Sequence, residues 1–243
     1  MRTYSAVLLL TAWEIYGRGY INPVIFTYPS AVVGAFVELV QSGKLLEASR
    51  QSVVVLTTGW VSAVAAGILL GLFMARFRVV ENALDLYVNA LYATPIVALV
   101  PLIINWFGFT QLARVVIVFL FAVFPVLINT IQGVKNVDEA LLEVARSFCS
   151  TERQTWRDVV VPSSVPYIVA GLRLAIGRGL VGLVVAELFT SLGGLGGIIE
   201  EAANTLETDK MFVPIALLMV LGVVLTESLK QLERRFAAWK VRE

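Results

Sequence analysis

The chain holds few side chains of the kinds that carry out covalent chemistry. Among its 243 residues there is no histidine, and there is a single cysteine, Cys149. Catalysis by histidine-based triads or dyads is therefore excluded, and zinc or haem sites are not expected. A Gly-x-x-x-x-Gly-Lys-Ser/Thr phosphate-binding loop does not occur either. The sequence predicts no catalytic residue, no metal and no cofactor bound to this chain.

Three ionisable residues, Arg173, Arg178 and Glu187, lie within one otherwise apolar stretch. Charges inside a membrane span are costly and often mark the path of a solute or ion. Arg178 and Glu187 are nine residues apart, or about 13.5 Å along a helix, so they cannot pair within one helix. All three are candidates for lining a translocation path, with Arg178 attracting an anion. The alternative is that Glu187 bonds to a neighbouring helix or lies near the outer interface.

The stretches that must carry these residues are apolar enough to cross a membrane. The chain is 58% hydrophobic and 15% charged, whereas soluble domains are about 45–50% apolar and about 25% charged. Runs of spanning length, or close to it, predict an all-α membrane protein with about six transmembrane helices, the first of them marginal. These are residues 4–13, 52–75, 84–104, 112–131, 166–190 and 210–226. A soluble helix bundle is disfavoured, because five such runs rarely fit inside one small core.

The distribution of lysine and arginine orients these helices within a single transmembrane domain, residues 1–243. With the N-terminus inside, the inside segments hold twelve of these residues and the outside segments four. Positive charge accumulates on the cytoplasmic side, so both termini, including the polar tail 227–243, are expected in the cytoplasm.

Two segments are then expected outside the membrane. Segment 22–51 contains Tyr28, Pro29 and Ser30 followed by apolar residues at helical spacing, which predicts an amphipathic helix lying at the interface. The glycine-rich segment 191–197 has no lysine, so we interpret it as a flexible or re-entrant turn at the outer mouth rather than a phosphate loop.

The longest inside loop, about 132–165, contains a segment with the pattern of a short helix, residues 137–148. Asp138 and Glu139 suit its first turn, where the helix dipole favours negative charge. Its apolar stripe is formed by Leu141, Leu142, Ala145 and Phe148. This stripe packs either against the protein's own helix ends or against a partner.

The same loop resembles the EAA loop of binding-protein-dependent ABC importers. That pattern is Glu-Ala-Ala, three residues, Gly, nine residues, an apolar residue, one residue and Leu-Pro. The positions that match it are Glu143, Ala145, Val159 and Pro162, and those that depart from it are Val144, Cys149 and Val161. Cys149 stands where the family has the glycine that permits the turn closing the coupling helix. A cysteine there puts the turn in question or requires a conformation open to other residues.

Further segments are similar to the nitrate/sulfonate/taurine-type permeases of this class, so that the resemblance covers about 28–239. These segments are 95–107, 124–138, 171–174, 185–187 and 193–196. The resemblance implies a type I ABC importer permease fold with a cytoplasmic coupling helix, in the inner membrane of a bacterium or archaeon. It also implies a homodimer, two cytoplasmic ATPase subunits that hold ATP and Mg, an external solute-binding protein and contact with lipid but not with nucleic acid.

By this resemblance the chain is a pore-forming permease subunit and not an enzyme. It would move a small solute, an organic or inorganic anion such as a sulfonate, nitrate or carboxylate, by alternating access. The residues assigned to ATPase coupling are Glu139, Leu142, Glu143, Ala145, Arg146, Phe148, Cys149 and Pro162. One alternative is a self-sufficient secondary transporter or channel, although no internal repeat supports it. A membrane enzyme is disfavoured by the lack of histidine.

Overall fold

The computed structural model describes residues 2–19 and 26–237, and all the regular structure in these ranges is helical. In chain order the helices are α1 (Arg2–Gly19), α2 (Pro29–Gln41), α3 (Lys44–Arg76), α4 (Arg78–Ala93), α5 (Ile96–Phe107), α6 (Gln111–Lys135), α7 (Glu139–Ser147), α8 (Glu152–Thr155), α9 (Val161–Thr190), α10 (Gly194–Thr205) and α11 (Thr208–Ala237). A π-helical turn, Trp156–Val160, joins α8 to α9. Residues 22–25 of the predicted external segment and 238–243 of the predicted tail lie outside the described ranges.

Four helical stretches are long and apolar enough to cross a membrane: Lys44–Arg76, Gln111–Lys135, Glu152–Thr190 and Thr208–Gln231. They correspond to four of the spans predicted from the sequence. The α4–α5 pair makes a fifth if it is counted as one span.

The span predicted at 84–104 is not one straight helix, because α4 and α5 are bent by 97° at Thr94 and Pro95. Proline has no amide hydrogen to continue a helix, and it favours extended backbone in the residue before it. Thr94 accordingly has ψ 134°.

The N-terminal segment forms a helix, but α1 is not among the helices apolar enough to span. Charged residues at Arg2, Glu14 and Arg18 fall within its 18 residues. Its C-terminal end is fastened to the start of α2, since the Glu14 carboxylate accepts hydrogen bonds from the Ser30 amide (3.0 Å) and hydroxyl (2.7 Å). The described chain therefore has four or five spans in place of the six counted from the sequence.

The centre of the bundle is formed by α3 and α6, which pack very closely. Small residues recur every fourth position along one face of α3, at Gly59, Ala63, Gly67 and Gly71. A Cβ atom added at any of these three glycines would lie 2.7–2.8 Å from a side-chain Cβ atom of α6. Small residues at such spacing let helix backbones approach in a membrane, where apolar burial alone gives no drive for association. The other face of α6 packs against α9, with similar close contacts at Gly133, Gly171 and Gly182.

Candidate functional site

The helix predicted in the long inside loop is present as α7. Asp138 precedes it, and the Asp138 side chain accepts a hydrogen bond from the Ala140 amide at 2.9 Å. This satisfies one of the amide groups that the first turn of a helix leaves without a partner.

The turn that closes α7 forms with a cysteine in it. Cys149 has φ 53°, in the left-handed region, and its side chain is exposed. The Ser150 amide donates to the Ala145 carbonyl at 3.0 Å, and the Cys149 amide donates to the Arg146 carbonyl at 2.9 Å. These two bonds define a Schellman motif, whose left-handed position is most often glycine. The replacement seen in the sequence therefore keeps the turn and places a strained residue in it.

Two faces of α7 differ in burial. Ala145 is 7% exposed and Leu142 is half-buried, so these two residues pack toward the protein's own helices. Phe148 is 82% exposed, and Leu141 and Val144 are also exposed. Glu139, Glu143, Arg146 and Cys149 are exposed, and Pro162 is half-buried in the first turn of α9.

The exposed apolar surface of α7 therefore consists of Leu141, Val144 and Phe148. Val144 was not predicted as a coupling residue. The sequence gave a signal for it, because valine replaces the alanine of the family pattern at that position.

The loop that carries α7 is tied to the ends of the spanning helices. The Arg76 guanidinium at the end of α3 forms an ion pair with Glu152 and lies 5.2 Å from the centre of the Trp156 ring. Lys135 at the end of α6 pairs with Glu81 of α4. A displacement of the loop would therefore reach α3 directly.

At the opposite end of the bundle, Glu187 is fully buried and joins α9 to α3 and α10. One carboxylate oxygen accepts from the Ser52 hydroxyl at 2.7 Å, and the other accepts from the Gly196 amide at 2.8 Å. The Ser52 hydroxyl in turn accepts from the Leu195 amide at 2.8 Å. This arrangement matches the alternative considered from the sequence, in which Glu187 bonds neighbouring elements. Contact of Glu187 with a solute stays a prediction that this geometry does not support.

The glycine-rich segment 191–197 is a turn only at its start, because α10 begins at Gly194. Gly193 and Gly194 have φ 90° and 80°, and a Cβ atom at Gly194 would lie 2.2 Å from a Glu187 carboxylate oxygen. The segment is therefore fixed by the buried carboxylate, and its second half is helical.

Outside this buried junction, exposed ion pairs fasten the neighbouring helices. Lys210 donates to Glu38 of α2 at 2.8 Å and to Glu207 at 3.0 Å, while Lys44 of α3 pairs with Glu201 of α10 at 3.0 Å. The hydrogen bond from Lys210 is the main reason that the pKa of Glu207 lies below its ordinary value.

The two predicted path arginines of α9 lie in different settings. Arg173 is half-buried and takes part in interactions within the chain. Arg178 is exposed, and its neighbours on the same helix face, Leu174 and Val181, are 54% and 52% exposed. No acidic side chain in the described ranges forms an ion pair with Arg178. A charge halfway along a span requires water or a partner, so this face of α9 borders one or the other.

Sequence reasoning missed Arg114 as a site residue. It lies in the first turn of α6 and is 6% exposed, and its Nε and Nη1 atoms are buried without a hydrogen-bond acceptor. The signal in the sequence was a charge at the edge of a long apolar run.

The architecture is that of type I ABC importer permeases. It resembles a solved structure of an amino acid ABC transporter with histidines (TM-score 0.65, 19% identity, 82% of this chain and 97% of that chain). It also resembles the MetNI methionine ABC transporter in an inward-facing conformation (TM-score 0.60, 17% identity, 86% and 99%). At these identities the likeness concerns the fold.

The sequence comparisons place the chain in a family. Residues 67–238 match the family described as binding-protein-dependent transport system inner membrane component. The chain is 32% identical to SsuC of Bacillus subtilis, assigned by its name to aliphatic sulfonate transport, over 96% of this chain and 85% of that protein. It is 28% identical to the taurine transport system permease protein TauC of Escherichia coli, over 96% and 87%. The chain belongs to this family and is a multi-pass inner membrane permease subunit of an ABC importer.

Proposed function

We propose that two copies of this chain form the translocation path of an ATP-driven importer for a small sulfonate-type anion. ATP and Mg bind to two separate cytoplasmic ATPase subunits, and an external binding protein delivers the solute. Both termini face the cytoplasm, and the path opens alternately to the two sides of the membrane. Nitrate and carboxylates are the other anions of this class.

The observation that carries the proposal is the exposed face of α7. An aromatic side chain that is 82% exposed, Phe148, stands beside exposed Glu143 and Arg146 on a helix too short to be stable alone. Exposed apolar side chains rimmed by charges are typical of a docking surface. The link from this loop through Arg76 and Glu152 to α3 supplies a route from ATPase movement to the bundle.

The substrate class is supported by the relatives and by the charge pattern. The names of SsuC and TauC refer to aliphatic sulfonates and to taurine. In this chain the charges that stand within the spans without a printed acid partner are the arginines Arg114 and Arg178. A positive charge in a site shielded from water favours an anion.

The first test is to purify the chain with the ATPase encoded beside it and to measure ATP hydrolysis in liposomes with and without the binding protein. A complex of two permease and two ATPase subunits, stimulated by the binding protein, is the expected result. Uptake by the chain alone, without association, would instead favour a secondary transporter or channel.

Glu143→Lys tests the coupling loop within that system. The reversed charge lies on the exposed face of α7, so we expect transport to be abolished while insertion into the membrane is unchanged. Insertion is measured by membrane fractionation and transport by solute uptake. Normal uptake by this variant would sink the assignment of the loop.

A further inference from the structure

A cavity of about 430 Å³ lies at the end of the bundle where α9 meets α10. It opens between the first turns of α3 and α6. Arg50 and Gln51 line it from α3, and Gln111 and Arg114 line it from α6, with Leu192 on the third side.

The wall of this cavity contains a guanidinium without an acceptor. Arg114 is 6% exposed, and two of its three nitrogens have no hydrogen-bond partner. The buried Oε1 of Gln51 is likewise without a donor. Buried polar groups are nearly always hydrogen-bonded, and an unpaired buried charge is strongly destabilising. The cavity is therefore built for an occupant that supplies acceptors to Arg114.

The chain's own carboxylates near the cavity do not fill this role. Glu187 attracts Arg114 electrostatically, but both its oxygens are held in the junction with α3 and α10. Glu47 accepts from Gln51 at 3.0 Å and forms an ion pair with Arg50 at 3.3 Å. Neither carboxylate bonds to the two unpartnered nitrogens of Arg114.

The local field favours an anion. Arg114 occupies the first turn of α6, where the helix dipole is already positive and a cation is unfavourable without compensation. Arg50, whose side chain is 75% exposed, adds a second guanidinium at the entrance. A guanidinium offers paired N–H groups that match two oxygens of one oxyanion.

We propose that this cavity binds the anionic group of an oxyanion of the sulfonate class, with Arg114 as the buried ligand and Arg50 at the entrance. The site deepens the proposed import function and rests on it, because it places the substrate's charged group within a single subunit.

The test uses the full chain in nanodiscs of phosphatidylcholine, with ³⁵S-labelled sulfate as the probe. We expect saturable binding that is displaced by ethanesulfonate and not by uncharged diethyl sulfone. Arg114→Met should weaken binding at least tenfold, which is about 1.4 kcal/mol, and Arg114→Lys should have an intermediate effect. Lys230→Gln removes a cation from the far part of α11 and is the matched control, with unchanged affinity.

Arg50→Gln changes an exposed side chain and keeps the test decisive should the Arg114 variants fail to fold; we expect binding about threefold weaker. Wild-type affinity in both Arg114→Met and Arg50→Gln would overturn the proposal, as would displacement by diethyl sulfone. Sulfate binding that ethanesulfonate cannot displace would overturn the assignment to a sulfonate. The measurement needs no ATPase, so a failure of the importer function to assemble is seen separately.

Discussion

The carboxylate of Glu187 connects three elements through bonds that each replace one with water. It lies at 0% exposure, accepts from Ser52 on α3 and caps the first turn of α10 at Gly196. A buried carboxylate is tolerated only when its oxygens are hydrogen-bonded. The junction therefore fixes where α10 begins relative to α9.

Ser52→Ala tests this junction. The substitution leaves the Leu195 amide without its acceptor and one Glu187 oxygen without its donor, so we expect a loss of about 1–3 kcal/mol of stability. Thermal unfolding of the purified protein measures it. Ser62→Ala is the control, because the Ser62 hydroxyl bonds only to the Gly59 carbonyl in its own helix. Equal losses in the two variants would contradict a special role for the junction.

A second residue, Cys149, carries backbone strain at the end of α7. Cys149→Gly removes the cost of a side chain at φ 53°, so the turn should be stabilised by about 1 kcal/mol. Cys149→Val should loosen it, since β-branched residues rarely adopt positive φ. Hydrogen exchange of the Ser150 amide, which closes the turn, reports both effects. Cys149→Ala keeps the strain and should exchange like the natural chain; slower exchange in Cys149→Ala than in Cys149→Gly would refute the argument.

At the scale of the elements, the α3–α6 contact depends on the absence of side chains. Gly67 lies where a Cβ atom would approach Val126 Cβ to 2.8 Å, and the α6 backbone lies 3.1 Å away at Leu127. Neither helix can yield here without moving its neighbours, since α6 also packs closely against α9.

Gly67→Ala should therefore destabilise the bundle by about 1–3 kcal/mol, the usual cost of overpacking, despite the better helix propensity of alanine. Thermal unfolding in detergent gives the difference. Gly34→Ala in α2 is the matched control, because a Cβ atom there meets nothing within 4 Å; it should leave stability the same or higher. A tolerated Gly67→Ala would show that the two helices have room to separate.

At the scale of the whole molecule, two exposed helix faces have different compositions. The exposed face of α9 carries Arg178 beside Gly177, whereas the exposed face of α11 is apolar, with Val220 at 55% exposure. A charge in a span requires water, and an apolar face is suited to lipid. We therefore expect the α9 face to border the path between two copies.

This expectation can be checked by labelling in a Cys149→Ser background. Gly177→Cys should react with a charged, water-soluble thiol reagent, since a side chain there meets no atom within 4 Å. Val220→Cys, facing lipid, should react at least tenfold more slowly. Mass spectrometry of the purified protein gives the two rates. Equal rates would place both faces in the same surroundings and remove the α9 face from the path.

The sequence by itself determined the features that depend on local pattern. Apolar runs gave four of the spanning helices, because burial in lipid requires about 20 apolar residues in succession. The pattern of 137–148 predicted α7, whose first turn Asp138 caps as the residue order requires. The family resemblance also followed from spacing alone, at Glu143, Ala145, Val159 and Pro162.

Only the tertiary structure decided the features that join distant parts of the chain. The Glu187 bond to Ser52 spans 135 residues, and no local pattern encodes which buried donor meets a buried carboxylate. The unpartnered Arg114 is visible only once its neighbours are placed. The 97° bend at Pro95 and the left-handed Cys149 also depend on packing, because proline and cysteine permit these conformations but do not impose them.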